Sequence, residues 1–294
     1  MAIKKISAIL MLSVLPLGAL MAQDAKNYLP KAGDYAIGID MQPIYSFFGN
    51  LANGDTGNGL NTFGGEEPLN NYTNTVSILG KYMLDNTTAL RLNFSMVKDI
   101  DHVYSYSYDD LKRFEDPYSE QKVEDNYKQS YAAYSIAAGI EFRRGKNRIQ
   151  GYYGADALFA LYKNKYTFEY GNAITDINQK PSRQDYTTTG SINVANVSYF
   201  TKTYATETFE REWFLGIAGR VGVEYFIVPQ LSFGGEVSLT FGEYFDSGSY
   251  TKAEGFNTTT DRVETHTELI SPKSHGFHMA TENLGGKLFM MFYF

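Results

Sequence analysis

Eight stretches whose apolar residues fall on alternate positions, joined by connections that are long and short in strict turn, leave this chain few folds to adopt. The stretches are Asp34–Phe47, Thr75–Met83, Thr88–Val97, Tyr131–Arg143, Ile149–Tyr162, Trp213–Tyr225, Leu231–Phe241 and Glu282–Phe294. Alternation is the side-chain period of a β-strand, because successive Cβ atoms point to opposite faces. The third stretch is the clearest: Leu90, Leu92, Phe94 and Met96 alternate with Arg91, Asn93 and Ser95. In the first, Tyr35, Ile37, Ile39 and Met41 alternate with Ala36, Gly38, Asp40 and Gln42. In the last, Leu284, Leu288, Met290, Phe292 and Phe294 share one face while Asn283, Gly285 and Lys287 share the other. In the fifth, the adjacent Tyr152 and Tyr153 leave the choice of face open. Each stretch has the roughly 9–11 residues with which a tilted strand crosses a bilayer.

The connections fix the topology more firmly than any single strand. Long ones occupy Phe48–Asn74, Lys98–Ser130, Lys163–Glu212 and Gly242–Thr281, whereas Leu84–Thr87, Gly145–Arg148 and Phe226–Gln230 are tight turns. The turns carry Asp85-Asn86, Gly145-Lys146-Asn147 and Pro229, residues that favour chain reversal. An even-stranded barrel with both termini on one side of a membrane requires this asymmetry. A soluble antiparallel sandwich shares the residue alternation but rarely gathers all its length at one end. The expected fold is therefore all-β: an eight-stranded antiparallel transmembrane β-barrel with long structured loops.

Composition agrees once the barrel is allowed for. Mean hydropathy is −0.32, as in a water-soluble protein, because only alternate residues of a barrel strand meet lipid. At the N-terminus, Lys4 and Lys5 precede an apolar run from Ile6 to Leu20 that is too short for a spanning helix and reads as an export signal ending near Ala22. This divides the chain into a signal peptide, 1–22, an N-terminal segment, 23–33, and the barrel, 34–294. Without Lys4 and Lys5 the chain carries 24 basic against 33 acidic residues, a net −9 that disfavours nucleic acid as a partner. No cysteine is present, so lipoprotein anchoring, disulfides and thiolate chemistry are excluded.

These features resemble the small outer-membrane barrels of the OmpA-transmembrane, OmpX and OmpW type over Asp34–Phe294. The phrase Ile78-Leu-Gly-Lys-Tyr82 followed by Asp85-Asn-Thr-Thr-Ala-Leu-Arg91 is also similar to barrel proteins of Bacteroidota-type bacteria. The resemblance implies residence in the outer membrane of a Gram-negative bacterium, with loops at the cell surface and both termini in the periplasm. It implies outer-membrane lipid as surroundings, and a barrel-assembly machinery that reads Phe292 and Phe294 as part of its signal. A peptidoglycan-binding domain, which often follows an OmpA-type barrel, has no counterpart after strand eight of this sequence.

An eight-stranded barrel is about narrow enough for its own side chains to fill it. The inward positions include Asp40, Arg91, Glu141, Arg143, Asp156, Arg220, Glu224, Glu236 and Lys287, of both signs. Such charges are expected to pair into a network that plugs the lumen, since an unpaired buried charge is costly; the alternative is a proton or ion path. For catalysis the sequence offers little. It has no Gly-x-Ser-x-Gly elbow, no phosphate loop and no His-Glu-x-x-His, and His275-Gly-Phe-His278 lacks a third ligand. Asn53-Gly-Asp-Thr-Gly-Asn58 suggests a flexible turn more than a calcium loop. Neither a metal nor another cofactor is expected, and the chain is not expected to be an enzyme.

The long connections carry what remains. Asp99–Ser130 holds nine acidic and four basic residues among Tyr104, Tyr106, Tyr108, Tyr118 and Tyr127. Ser191–Tyr204, which includes Tyr199 and Tyr204, is β-branched and aromatic and is expected to form a hairpin above the membrane. Tyr104, Tyr106, Tyr108, Tyr199 and Tyr204 are the candidate contacts to a partner. The leading expectation is a surface binding or scaffold protein, or a subunit of a larger outer-membrane complex; narrow solute transport and a rim enzyme acting on lipid or peptide are the rivals.

Overall fold

The structure is a computed structural model that describes residues 28–41, 76–179, 200–280 and 287–294. The expected signal peptide, Asn53–Asn58, Ser191–Tyr199 and Leu284 lie outside the described residues. Among the described residues ten strands run antiparallel in one sheet: β1 (Tyr35–Asp40), β2 (Val76–Met83), β3 (Thr88–Tyr108), β4 (Lys122–Lys146), β5 (Ile149–Glu169), β6 (Phe200–Val228), β7 (Leu231–Asn257), β8 (Arg262–Ser271), β9 (Ser274–Ala280) and β10 (Lys287–Tyr293). A one-and-a-half-turn helix, α1 (Asp110–Glu115), caps the β3–β4 hairpin. Each of β1 to β7 pairs with its successor, β10 pairs with both β7 and β1, and the ring of eight closes with no free edge at this level.

Alternation holds around this ring. Leu90, Leu92, Phe94 and Met96 of β3, Leu215, Ile217, Val221 and Val223 of β6, and Leu288 of β10 are exposed on the outside, as lipid-facing residues of a barrel must be. The ambiguous pair in β5 separates cleanly, with Tyr152 3% and Tyr153 57% exposed. Met41 keeps the outward face but is shielded there: it is 9% exposed, lying in a groove with the outward Val223, Tyr225 and Leu288. Short turns close the hairpins at one end, four residues between β2 and β3 and two residues between β4 and β5 and between β6 and β7; Asn147 takes φ 60°, the left-handed conformation that Asn tolerates better than most residues.

At the opposite end strand continues into three of the long connections, as expected for β5 and β6 but where loop was expected between β3 and β4 and after β7. The pairing of β3 with β4 runs unbroken from Thr88↔Phe142 to Tyr108↔Lys122, and β5 pairs with β6 from Ile149↔Tyr225 to Thr167↔Glu207. Lys98–Ser130 thus comprises the upper parts of the 21-residue β3 and the 25-residue β4, joined by 109–121 with α1. The physical reason is that polar and tyrosine residues replace aliphatic ones outside the bilayer while Val, Thr and Tyr keep their fit to a pleated ladder. Beyond the ring, β7 changes partners: Thr240–Asp246 pair with β9 and Ser249–Asn257 with β8.

Candidate functional site

The centre of the barrel is a closed electrostatic cluster. Inward positions on β2 to β7 bring four cations, Lys81, Arg91, Arg143 and Arg220, against four carboxylates, Glu141, Asp156, Glu224 and Glu236. Arg143 reaches Glu141 and Glu224 at 2.6 Å each, and Lys81 bridges the same two carboxylates at 3.2 Å. Arg91 spans Glu141 and Glu236 at 3.0 Å and Asp156 at 3.6 Å, and Arg220 links Asp156 to Glu236. Neutral groups finish the coordination. Gln150 accepts from Arg143 Nε at 2.7 Å, Tyr152 donates to Glu236 at 2.9 Å, Tyr293 donates to Glu224 at 2.8 Å, and Ser232 donates to Glu224. Buried charge of both signs is tolerable only when partnered in this way, since each ion loses its hydration; Asp156 Oδ1 is the exception within the cluster, buried without a hydrogen bond among the described residues while Oδ2 meets Arg91 and Arg220.

Of the expected inward positions, Arg91, Glu141, Arg143, Asp156, Arg220, Glu224 and Glu236 meet in the cluster; Asp40 is half-buried at the end of β1. For Lys287 the structure gives only the backbone register, opposite Glu236. Sequence reasoning missed Lys81, whose signal was its place between the outward Gly80 and Tyr82 on β2, and the tyrosine, serine and glutamine groups that complete the shells.

Below the cluster, toward the turns, the lumen is apolar where polar residues were expected. Ala36, Leu79, Tyr152, Phe226, Phe289, Met291 and Tyr293 form a buried core, and Tyr28 and Leu29 of the N-terminal segment pack against it. The large side chains fit because small ones face them: a Cβ on Gly222 would strike Tyr152, and one on Gly234 would strike Phe289. The segment is pinned across this mouth by Gly33 N to Met83 O at 2.8 Å, Ala32 N to Asn86 Oδ1 at 3.0 Å, and Arg148 donating to Tyr28 OH at 2.6 Å.

The far end is a rigid projection. Asp125, fully buried, accepts from Ser107 Oγ and Gly171 N at 2.8 Å each. Asn172 donates to Tyr108 O and accepts from Asp110 N, while Asn178 donates to Asp110. Asp109 caps α1 through Lys112 N. Against this frame Tyr104, Tyr106, Leu111, Phe114, Tyr118 and Ile177 stand exposed. Tyr108 lies beneath Arg113, 3.3 Å from its ring centre. Tyr204 does not belong with them: it is 3% exposed and packs edge-on against Tyr170 at 5.6 Å, which removes it from the candidate contact surface. His275 and His278 fall on opposite faces of β9, the first beside Glu243 at 2.9 Å and the second against Phe214. They cannot share a metal ion, and among the described residues no group of three metal-ligating side chains occurs.

A closed ring of eight antiparallel strands, apolar outside and charge-filled inside, defines a transmembrane β-barrel. No family model matches the chain, and no curated protein does. Among solved structures it is similar to the outer membrane protein OprG from Pseudomonas aeruginosa at 11% identity, over 92% of this chain and 99% of that one, with a TM-score of 0.29.

Proposed function

We propose that this barrel is a plugged membrane anchor that displays a rigid, tyrosine-rich projection to a partner outside the cell, acting as a surface binding or scaffold protein and not as an enzyme. The observation that carries this reading is the lumen: four cations balance four carboxylates above an apolar floor, which leaves the projection as the accessible surface. In the same reading the turn end and both termini face the periplasm, Phe292 and Phe294 take part in recognition by the assembly machinery, and the relatives are the small OmpA-transmembrane, OmpX and OmpW barrels. The partner contact is made by Tyr104, Tyr106, Leu111, Phe114 and Tyr118, exposed on a frame already ordered by Asp125 and Asn172, so that little conformational entropy is lost on binding.

The test uses two readouts on one variant. Tyr108 and Lys122 are cross-strand partners, so 109–121 can be replaced by Asn-Gly, a two-residue hairpin turn. The expected result is a barrel with unchanged heat-modifiable gel mobility that loses the proteins or glycans crosslinked to the wild type on intact cells. Retention of every crosslinked species sinks the binding reading. Steady porin-like conductance of the wild type in planar bilayers overturns the plug and favours transport.

A further inference from the structure

The outer face of the barrel changes character abruptly, and it does so along one pairing row. Met96, Tyr134, Leu161 and Trp213 are register neighbours on β3, β4, β5 and β6, and they form the last apolar row; Trp213 stacks on Phe245 at 4.0 Å. Aromatic residues of this kind mark a membrane–water boundary. The next outward row is Lys98, Ala132, Lys163 and Arg211, again direct register neighbours. Lys128 and Lys165 follow on β4 and β5.

Among the described residues only Lys165 of these five cations has an ion-pair partner. Lys165 and, on β7, Lys252 share Glu207, at 2.7 and 3.2 Å. Among the described residues Lys98 and Lys163 have no ion-pair partner, and Arg211 has only a 3.4 Å hydrogen bond to Ser247. Lys163 lies directly across from Arg211, a placement of like charges that destabilises a strand pair. Strand spacing sets Lys163 about 5 Å from Arg211 and Lys98 about 10 Å from Lys163, before their long side chains move. The lumen holds its cations in ion pairs; this collar, at the lipid headgroup level, sets three cations that are unpaired among the described residues in one row across neighbouring strands.

We propose that Lys98, Lys163 and Arg211 form a docking site for the phosphate groups of lipids in the leaflet at the loop end, with the acyl chains lying on the Met96–Trp213 row. Charge complementarity selects the occupant, and the girdle beneath fixes it as a lipid and not free phosphate. The collar requires only that the barrel spans a membrane; a phosphorylated glycolipid as its preferred occupant rests on the outward placement of the loop end proposed above.

Native mass spectrometry of the full chain in detergent tests this, with diphosphorylated lipid A, its dephosphorylated form, phosphatidylglycerol and inorganic phosphate as separate probes. The wild type should retain a phosphorylated lipid adduct that falls about tenfold in a Lys98→Gln/Lys163→Gln/Arg211→Gln variant; tenfold corresponds to about 1.4 kcal/mol. A Lys112→Gln/Lys122→Gln/Arg262→Gln variant of equal net charge should bind like the wild type. Equal binding by the collar variant, equal binding of dephosphorylated lipid, or saturation by inorganic phosphate overturns the site. If the collar variant fails to show the heat-modifiable shift of a folded barrel, Lys163→Gln alone should give a partial loss, and none overturns the site. Preference for phosphatidylglycerol over lipid A, still lost in the collar variant, upholds the collar and overturns the outward orientation.

Discussion

β6 crosses two environments in one uninterrupted strand, and its halves solve opposite problems. From Trp213 to Val228 it turns Leu215, Ile217, Val221 and Val223 outward while Arg220 and Glu224 are buried inside. From Tyr204 to Arg211 the arrangement reverses: Thr208 and Ala205 are buried, and Glu207 and Arg211 lie on the outer face. Both halves are paired strand, the upper one with more register shifts against β7, and the surrounding medium decides which face takes charge. In the lower half each buried ion must be fully partnered, whereas in the upper half water does much of that work.

The largest effect should come from unbalancing the lumen. Arg143 is 1% exposed and serves both Glu141 and Glu224, which are fully buried. Arg143→Met should cost about 3–5 kcal/mol, because it leaves four buried carboxylates facing three cations, with Lys81 alone bridging Glu141 and Glu224. Urea-dependent loss of the folded gel band should show it; a variant unfolding at the wild-type midpoint would mean that the cluster contributes little, and the two halves of β6 would then differ less than the contacts imply.

The next comparison can be made on β3 with exposure held constant. Leu92 and Ile100 face the same side and are 47% and 46% exposed, yet one lies in the apolar belt and the other two rows beyond it. Leu92→Arg should cost on the order of 2–4 kcal/mol and Ile100→Arg less than about 1. Equal costs, measured by the same unfolding assay in lipid bilayers, would place the membrane boundary elsewhere.

The ring was legible in the sequence because period-two patterning and turn chemistry act locally: Leu90 to Met96 declare a face by themselves, and Asn147 a turn. The charged interior was legible as parity, since Arg91, Glu141 and Arg220 sit opposite apolar neighbours. Its partners were not, because which carboxylate meets Arg143 depends on shear between β4 and β6. The β3–β4 extension is not legible as strand because Asp99 and Asp101 break the aliphatic rhythm, although the strand continues through them without a gap. Tyr204 was misassigned for a related reason: aromatic residues serve exposed and buried faces alike, and only Tyr170 decides which.

The smallest effect belongs to the extension, and pH isolates it. The hydrogen bond from Lys165, with help from Tyr250 and Lys252, holds the Glu207 carboxyl down at about 2. A folded pKa below the unfolded value of about 4.3 means that the contribution is present above that value and lost as pH falls toward 2. Because the two lysines are half in solvent, it should amount to less than about 1 kcal/mol and weaken with salt. Amide exchange at β5, β6 and β7 in a barrel held in detergent should therefore quicken between pH 4 and 2 in the wild type, beyond the intrinsic change of the exchange rate, and Glu207→Gln should abolish that excess. An excess that persists in Glu207→Gln would trace the acid sensitivity to other groups, and the extension would then depend on buried charge as the lumen does.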